Sequence, residues 1–214
     1  MKLQIFTVNP FQVNTYLYFD EKTGEAIIID PGFYLDFEKN NFSDYVKKNK
    51  IKLKSVLLTH GHIDHILGVN FVRNNFNVKS YLNINDKFLV EGAKSQADMF
   101  GLDLFEDVAI DELFNDEIKI KIGECEIISL STPGHSPGSV CFIDFINENV
   151  FCGDLIFQNS IGRTDLPKGD YSLLIDSIEN SLFKKCNENF TLYPGHMEKT
   201  TVGSEKKFNP FLNG

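Results

Sequence analysis

Three short apolar runs in this 214-residue chain each lead to histidine, and that repetition restricts the fold more than any other feature. The run at residues 55–58 enters T-H-G-H-I-D-H, which puts His60, His62, Asp64 and His65 in a loop that leads from a strand end into a helix. The segment SLSTPGH carries a second run to His135, and TLYPGH carries a third to His196. In both, Pro-Gly makes the turn, because glycine tolerates backbone angles closed to other residues. A fourth run, residues 150–152, reaches Gly153 and Asp154 and sets a carboxylate at the same kind of position. Scaffolds present ligating side chains on loops at strand ends, so four such ends are expected to converge. All five histidines of the chain are then used.

The segments between these points fit an alternating α/β chain. Residues 3–8, 15–19 and 26–29 read as a strand meander divided by Asn-Pro and Lys-Thr-Gly turns. A surface helix is expected over 36–49, then the strand 55–58, a helix near 65–76, a strand near 78–82 and a helix near 86–100. The second half repeats the pattern, with strands at 117–122, 126–130, 140–145 and 150–152. A helix capped by Asp170 follows, with Leu174, Ile178 and Leu182 at four-residue spacing and its end near Asn187. Residues 190–193 are the last expected strand, and the tail 200–214 reads as a short helix followed by a surface segment. The length fits one domain, residues 1–214, and no linker-like composition divides it.

A net charge of -9 with scattered Lys and Arg opposes general binding to nucleic acid or anionic lipid, which needs clustered cations. No segment has the form of a secretory leader or the roughly 18 apolar residues of a membrane span, so a cytoplasmic location is the expectation. Cys125, Cys141, Cys152 and Cys186 form no C-x-x-C pair and read as reduced, buried thiols.

Imidazole and carboxylate donors suit zinc, and also iron or manganese, whereas a closed thiolate site would need cysteines beside the histidines. Alone, His60 and His62 would read as buried, hydrogen-bonded residues, Asp64 as a helix cap, and His135 or His196 as unremarkable. A string of the form H-x-H-x-D-H arises by composition in about one chain in several thousand. Together with the other strand endings it favours a metal site. Seven donors exceed one tetrahedral ion, and two ions sharing Asp154 use them all.

This order of His60, His62, Asp64, His65, His135, Asp154 and His196 resembles the metallo-β-lactamase superfamily across nearly the whole chain. The segments TPGHSPGS (132–139), IGRTDLP (161–167) and PGHMEKTTVGSEKKFNPF (194–211) are similar to its short glyoxalase II-like hydrolases. The resemblance implies a four-layer αββα sandwich, two mixed β-sheets flanked by helices, with the metals at one edge of the sheets. It implies His60, His62 and His135 on a first divalent ion, Asp64, His65 and His196 on a second, and Asp154 between them, with zinc as the expected metal. Arg163 and Asp165 read as an ion pair that shapes its loop, with Arg163, Lys168 and Tyr171 as candidate substrate contacts. Cys152 reads as packed in its strand rather than reactive.

The implied activity is hydrolysis of a small thioester or ester such as S-lactoylglutathione by a hydroxide shared between the ions, with Asp64 orienting or accepting its proton. Full-length glyoxalase II carries an additional C-terminal helical region with basic residues for glutathione, whereas this chain ends at Gly214. The rival enzyme reading is a mono-iron persulfide dioxygenase of the same superfamily, using His60, His135 and Asp154. The non-enzymatic alternative is a metal-stabilised binding module, which a site with open positions disfavours. Lactonase and nuclease activities also occur in the superfamily, but a nuclease calls for more basic surface.

Overall fold

Every residue of the strand Val13–Phe19 is buried, so both of its faces must be covered. Tyr16 and Tyr18 enter one hydrophobic core, while Leu17 and Phe19 enter another. The computed structural model describes residues 1–104 and 106–212, and in it the two cores lie on opposite sides of one sheet.

That sheet has six strands in sequence order. The first three, β1 (Lys2–Val8), β2 (Val13–Phe19) and β3 (Glu25–Ile29), form the expected antiparallel meander. Helix α1 (Asp36–Lys48) then crosses over to β4 (Lys52–Leu57), parallel to β3. Helices α2 (Ile63–Ile66) and α3 (Val69–Phe76) lead to β5 (Lys79–Asn83), and α4 (Lys87–Glu91) and α5 (Ala93–Phe100) lead to β6 (Glu112–Phe114).

The second sheet begins with β7 (Lys119–Ile122), β8 (Cys125–Ser131), β9 (Val140–Asp144) and β10 (Asn149–Gly153), each antiparallel to the next. A small hairpin, β11 (Ile156–Phe157) and β12 (Ser160–Ile161), stands apart from both sheets. Helix α6 (Tyr171–Asp176) continues through a π-helical stretch, Ser177–Leu182, into α7 (Phe183–Lys185). The chain then enters β13 (Thr191–Pro194), parallel to β10, followed by β14 (Thr200–Thr201) and α8 (Val202–Phe208).

Three cores separate four layers. Phe42 and Val46 of α1 and Val69 and Val72 of α3 pack with Leu17, Ile28 and Val56. Between the sheets, Tyr16, Ile27 and Leu57 join Ile127, Phe142 and Phe151. On the far side Leu174, Ile178 and Leu182 join Cys141, Ile143 and Leu192. The expected αββα sandwich of two mixed sheets is what forms.

Two expected helices are each broken in two. The one expected near 65–76 stops at Leu67 because Gly68 turns its amide away from the helical ladder to donate to the Pro31 carbonyl at 2.7 Å. The one expected over 86–100 begins as a 3₁₀ turn, Ile84–Asp86, and is interrupted at Gly92, where the backbone leaves helical angles. The strand expected at 117–122 begins at Lys119, and the last expected strand is Thr191–Pro194. Asp170 caps its helix as expected, its carboxylate accepting from the Leu173 amide at 3.0 Å. The short helix of the tail is α8, and residues 213 and 214 lie outside the described residues. Among the described residues, no helix is long and apolar enough to cross a membrane.

Candidate metal centre

Strand direction gathers the seven residues. Because β8 and β10 are both antiparallel to β9, they run the same way, and β13 runs parallel to β10. Their C-terminal ends therefore share one edge of the second sheet and deliver His135, Asp154 and His196. Facing them, the C-terminal end of β4 delivers His60 and His62, while Asp64 and His65 sit in α2. Ligating atoms of His60, His62 and His135 lie within 4.8 Å of one another, as do those of Asp64, His65 and His196. Asp154 stands between the groups, with Oδ2 3.6 Å from His135 Nε2 and 3.5 Å from His196 Nε2, and Oδ1 3.5 Å from His65 Nε2. Asp64 Oδ2 lies 3.6 Å from His65 Nε2 and 3.3 Å from His196 Nε2.

Outer hydrogen bonds fix which nitrogen faces inward. His135 Nδ1 donates to the Arg163 carbonyl at 2.8 Å, and His196 Nδ1 donates to that of Phe11 at 3.0 Å. His65 Nδ1 meets Asp30 Oδ2 at 3.0 Å. The Thr59 hydroxyl donates to Asp30 Oδ2 at 2.6 Å, so its oxygen is left to accept from His60 Nδ1 at 3.1 Å. In these four histidines Nε2 is thereby the nitrogen that faces inward. His62 is turned the other way, its Nδ1 lying 2.9 Å from His135 Nε2.

Charge divides the cluster. Burial, then the neighbouring His65, His62 and His135, holds His60 well below the ordinary histidine range. Burial, reinforced by His135, takes His62 to about 3. Burial alone would also lower His65, but Asp64, Asp154 and Asp30 overcome it and raise it to about 9. His196 rises to about 10 because hydrogen bonding to Asp154 and Asp64 outweighs its burial. Burial opposes the charged form of Asp154, yet His65, His196 and His135 hold it well below the usual carboxylate range. His60 and His62 are thus held as neutral imidazoles, whereas Asp64 and Asp154 are held ionised beside His65 and His196.

Sequence reasoning missed two buried carboxylates. Asp30 follows β3 and accepts from the Thr59 amide at 2.8 Å as well as from Thr59 and His65 side chains, so it steadies the first ligand loop. It also falls within a third donor group with His60 and His65, but it holds the outer nitrogen of His65. Asp86 joins two ligand loops, accepting from the Gly61 amide (3.0 Å), the Gly138 amide (2.6 Å) and the Ser136 hydroxyl (2.6 Å). A usable signal existed for Asp30, since the run 26–29 ends in Asp-Pro-Gly, the same strand-to-turn form as the others.

Gly195 shows how tightly the centre is built. A Cβ there would sit 2.2 Å from Asp154 Oδ1 and 2.6 Å from His65 Cε1. A cavity of about 310 Å³ opens beside the cluster, lined by His62, Asp64, His135, Asp154 and His196 and by side chains that include Phe11, Met99, Phe100 and Arg163. The expected pair of Arg163 and Asp165 forms with two contacts, at 2.7 and 2.8 Å. Lys168 lies over the Phe88 ring, 3.8 Å from its centroid, and neither it nor the exposed Tyr171 lines the cavity.

Comparison with known proteins matches residues 8–196 to the family model described as the metallo-beta-lactamase superfamily. The hydroxyacylglutathione hydrolase GloC of Haemophilus influenzae is 39% identical, the match covering 100% of this chain and 99% of that one. Among solved structures, the BLEG-1 B3 metallo-beta-lactamase is 33% identical with a TM-score of 0.87, covering 100% of both chains. TTHA1623 in a di-iron-bound form is 31% identical with a TM-score of 0.84, covering 98% of this chain and 100% of that one.

Proposed function

From the premise that this chain belongs to the metallo-beta-lactamase superfamily, we propose that it is a metal-dependent hydrolase of small thioesters or esters, with S-lactoylglutathione as a substrate. The observation that carries the reading is a group of buried polar atoms left without partners within the donor cluster. His60 Nε2, His65 Nε2 and Asp154 Oδ1 have no hydrogen-bond partner among the described residues, a costly state unless a cation satisfies them. Two donors on one tetrahedral ion stand about 3.4 Å apart, given ligand distances of about 2.0–2.1 Å. The contacts of 3.3–3.6 Å between the imidazoles and carboxylates fit that separation.

His60, His62 and His135 would hold one divalent ion, Asp64, His65 and His196 a second, and Asp154 would serve both. Zinc suits these donors, and iron or manganese is also compatible. When bound, two such ions supply a nucleophile by lowering the pKa of water and act as Lewis acids toward a carbonyl oxygen. Asp64, which lines the cavity, would orient a water there and accept its proton. A thiol, with a pKa of about 8.5, leaves as thiolate without a residue to protonate it. The same proposal treats residues 1–214 as one domain working in the cytoplasm, in keeping with four unpaired, buried cysteines.

The deciding experiment combines elemental analysis of protein purified without added metal, thiol release from S-lactoylglutathione, and oxygen uptake with glutathione persulfide. Two metals per chain with thiol release are expected. One iron with oxygen uptake and no thiol release would replace the hydrolase by a dioxygenase built on His60, His135 and Asp154. Full metal content without turnover of any thioester or ester would favour a binding module.

A further inference from the structure

Resting on the hydrolase reading, we propose that the substrate carries an uncharged, apolar arm, and that this arm lies against a hydrophobic wall to which the end of α5 contributes Met99 and Phe100. The cavity beside the donor cluster is lined away from it by Phe11, Leu89, Met99, Phe100, Leu166 and Pro167. Met99 is 77% exposed, and Phe100, also exposed, holds the Phe11 ring edge-on at 5.1 Å. An isolated exposed apolar side chain is ordinary, but these residues share one cavity with the ligand cluster. The flexible thioether of Met99 adapts to arms of different shape.

The polar side chains on this wall already have partners. Gln96 Oε1 accepts from the Ile63 amide at 3.2 Å, and its Nε2 donates to the Leu89 carbonyl at 2.7 Å. Arg163 is the only Lys or Arg lining this cavity among the described residues, and Asp165 holds its guanidinium through two contacts. A carrier with carboxylates, such as glutathione, therefore meets no unpaired side-chain cation along this wall. Placing its charges there would desolvate them without compensation, and the net charge of -9 opposes their approach. An aliphatic or aromatic arm gives up no hydrogen bonds to water on entering and covers Met99 and Phe100. The hydrolase is thus matched to neutral acyl compounds, and it turns over glutathione conjugates only through the donor cluster they share.

The test uses metal-loaded protein and four thioethers that cannot be hydrolysed: S-methyl and S-hexyl derivatives of glutathione and of the neutral thiol N-acetylcysteamine. Binding is measured by calorimetry, and hydrolysis is followed separately with S-hexanoyl-N-acetylcysteamine. The hexyl compounds should bind at least about tenfold more tightly than the methyl compounds on both carriers. Met99→Asp should remove most of that gain, and the neutral carrier should bind as well as glutathione or better. Equal binding of methyl and hexyl compounds, or tenfold tighter binding of the glutathione pair, overturns the proposal even if hydrolysis proceeds. The expected binding pattern without hydrolysis upholds the ligand class and overturns the hydrolase reading instead.

Discussion

His135 Nδ1 donates to the main-chain carbonyl of Arg163 at 2.8 Å, while the Arg163 guanidinium turns away to grip Asp165. The loop that supplies this arginine therefore orients a candidate ligand through its backbone, and the side chain has a separate task. Arg163→Ala keeps the carbonyl, so metal content by elemental analysis should stay that of the parent protein. Stability should be nearly unchanged, because the ion pair is exposed and screened by water. Loss of metal in this variant would show that the side chain, and not the carbonyl, sets His135.

Asp86→Ala should be far more damaging, although Asp86 is not among the seven donors. It leaves the Gly61 and Gly138 amides and the Ser136 hydroxyl without their acceptor in the interior. A cost of about 3 kcal/mol in urea unfolding is expected, with metal affinity weakened about 10–100-fold. Full metal affinity in a variant that unfolds at lower urea would restrict Asp86 to stability alone.

Gly195→Ala adds one methyl group between Asp154 and His65. Neither side chain can retreat easily, because His65 is held by Asp30 from behind. Metal content should fall and activity drop at least about tenfold while every donor residue is still present. Parent-like loading would show that the loop shifts to make room.

Asp111 offers a pH dependence remote from the cluster. Hydrogen bonding from Arg73 holds its carboxyl at about 2, against an ordinary 3.8. With the folded value depressed, the stabilisation is complete above pH about 4 and is lost as pH falls through 2. Partial exposure reduces the contribution to about 1–2 kcal/mol. Urea unfolding of Asp111→Asn should show that deficit in full at pH 5 and 7 and a smaller one at pH 3. A deficit independent of pH would assign the loss to the Ser80 hydrogen bonds of Asp111 instead.

The convergence of the candidate ligand loops was legible because each pairs an unusual residue with a turn: His60 to His65 after a strand, Pro-Gly before His135 and His196, Gly before Asp154. The layers were legible only in part. Alternation does not appear in β2 or β9, where every position is buried, so their two-sided packing emerges only once both neighbours are in place. The strands β6, β11, β12 and β14 span two or three residues, too few for any periodicity. Asp86 stayed hidden because its partners are 25 to 52 residues away and its own neighbours form no pattern. The breaks at Gly68 and Gly92 arise from tertiary hydrogen bonding and backbone angles that local propensity does not reveal.

The donor cluster spans the seam between the sheets, with four residues from the β4 end and α2 on one side and three from β8, β10 and β13 on the other. The same seam is tied by the Asn14 amide donating to the Gly195 carbonyl at 2.7 Å and by the Tyr16 hydroxyl donating to that of Pro194 at 2.6 Å. Ions bound there would act as a clasp, so the halves of the sandwich could not part without releasing their load. Metal supply and mechanical integrity would then be one property of this protein, and starving it of metal would first be felt as a loosening of the two sheets along that edge.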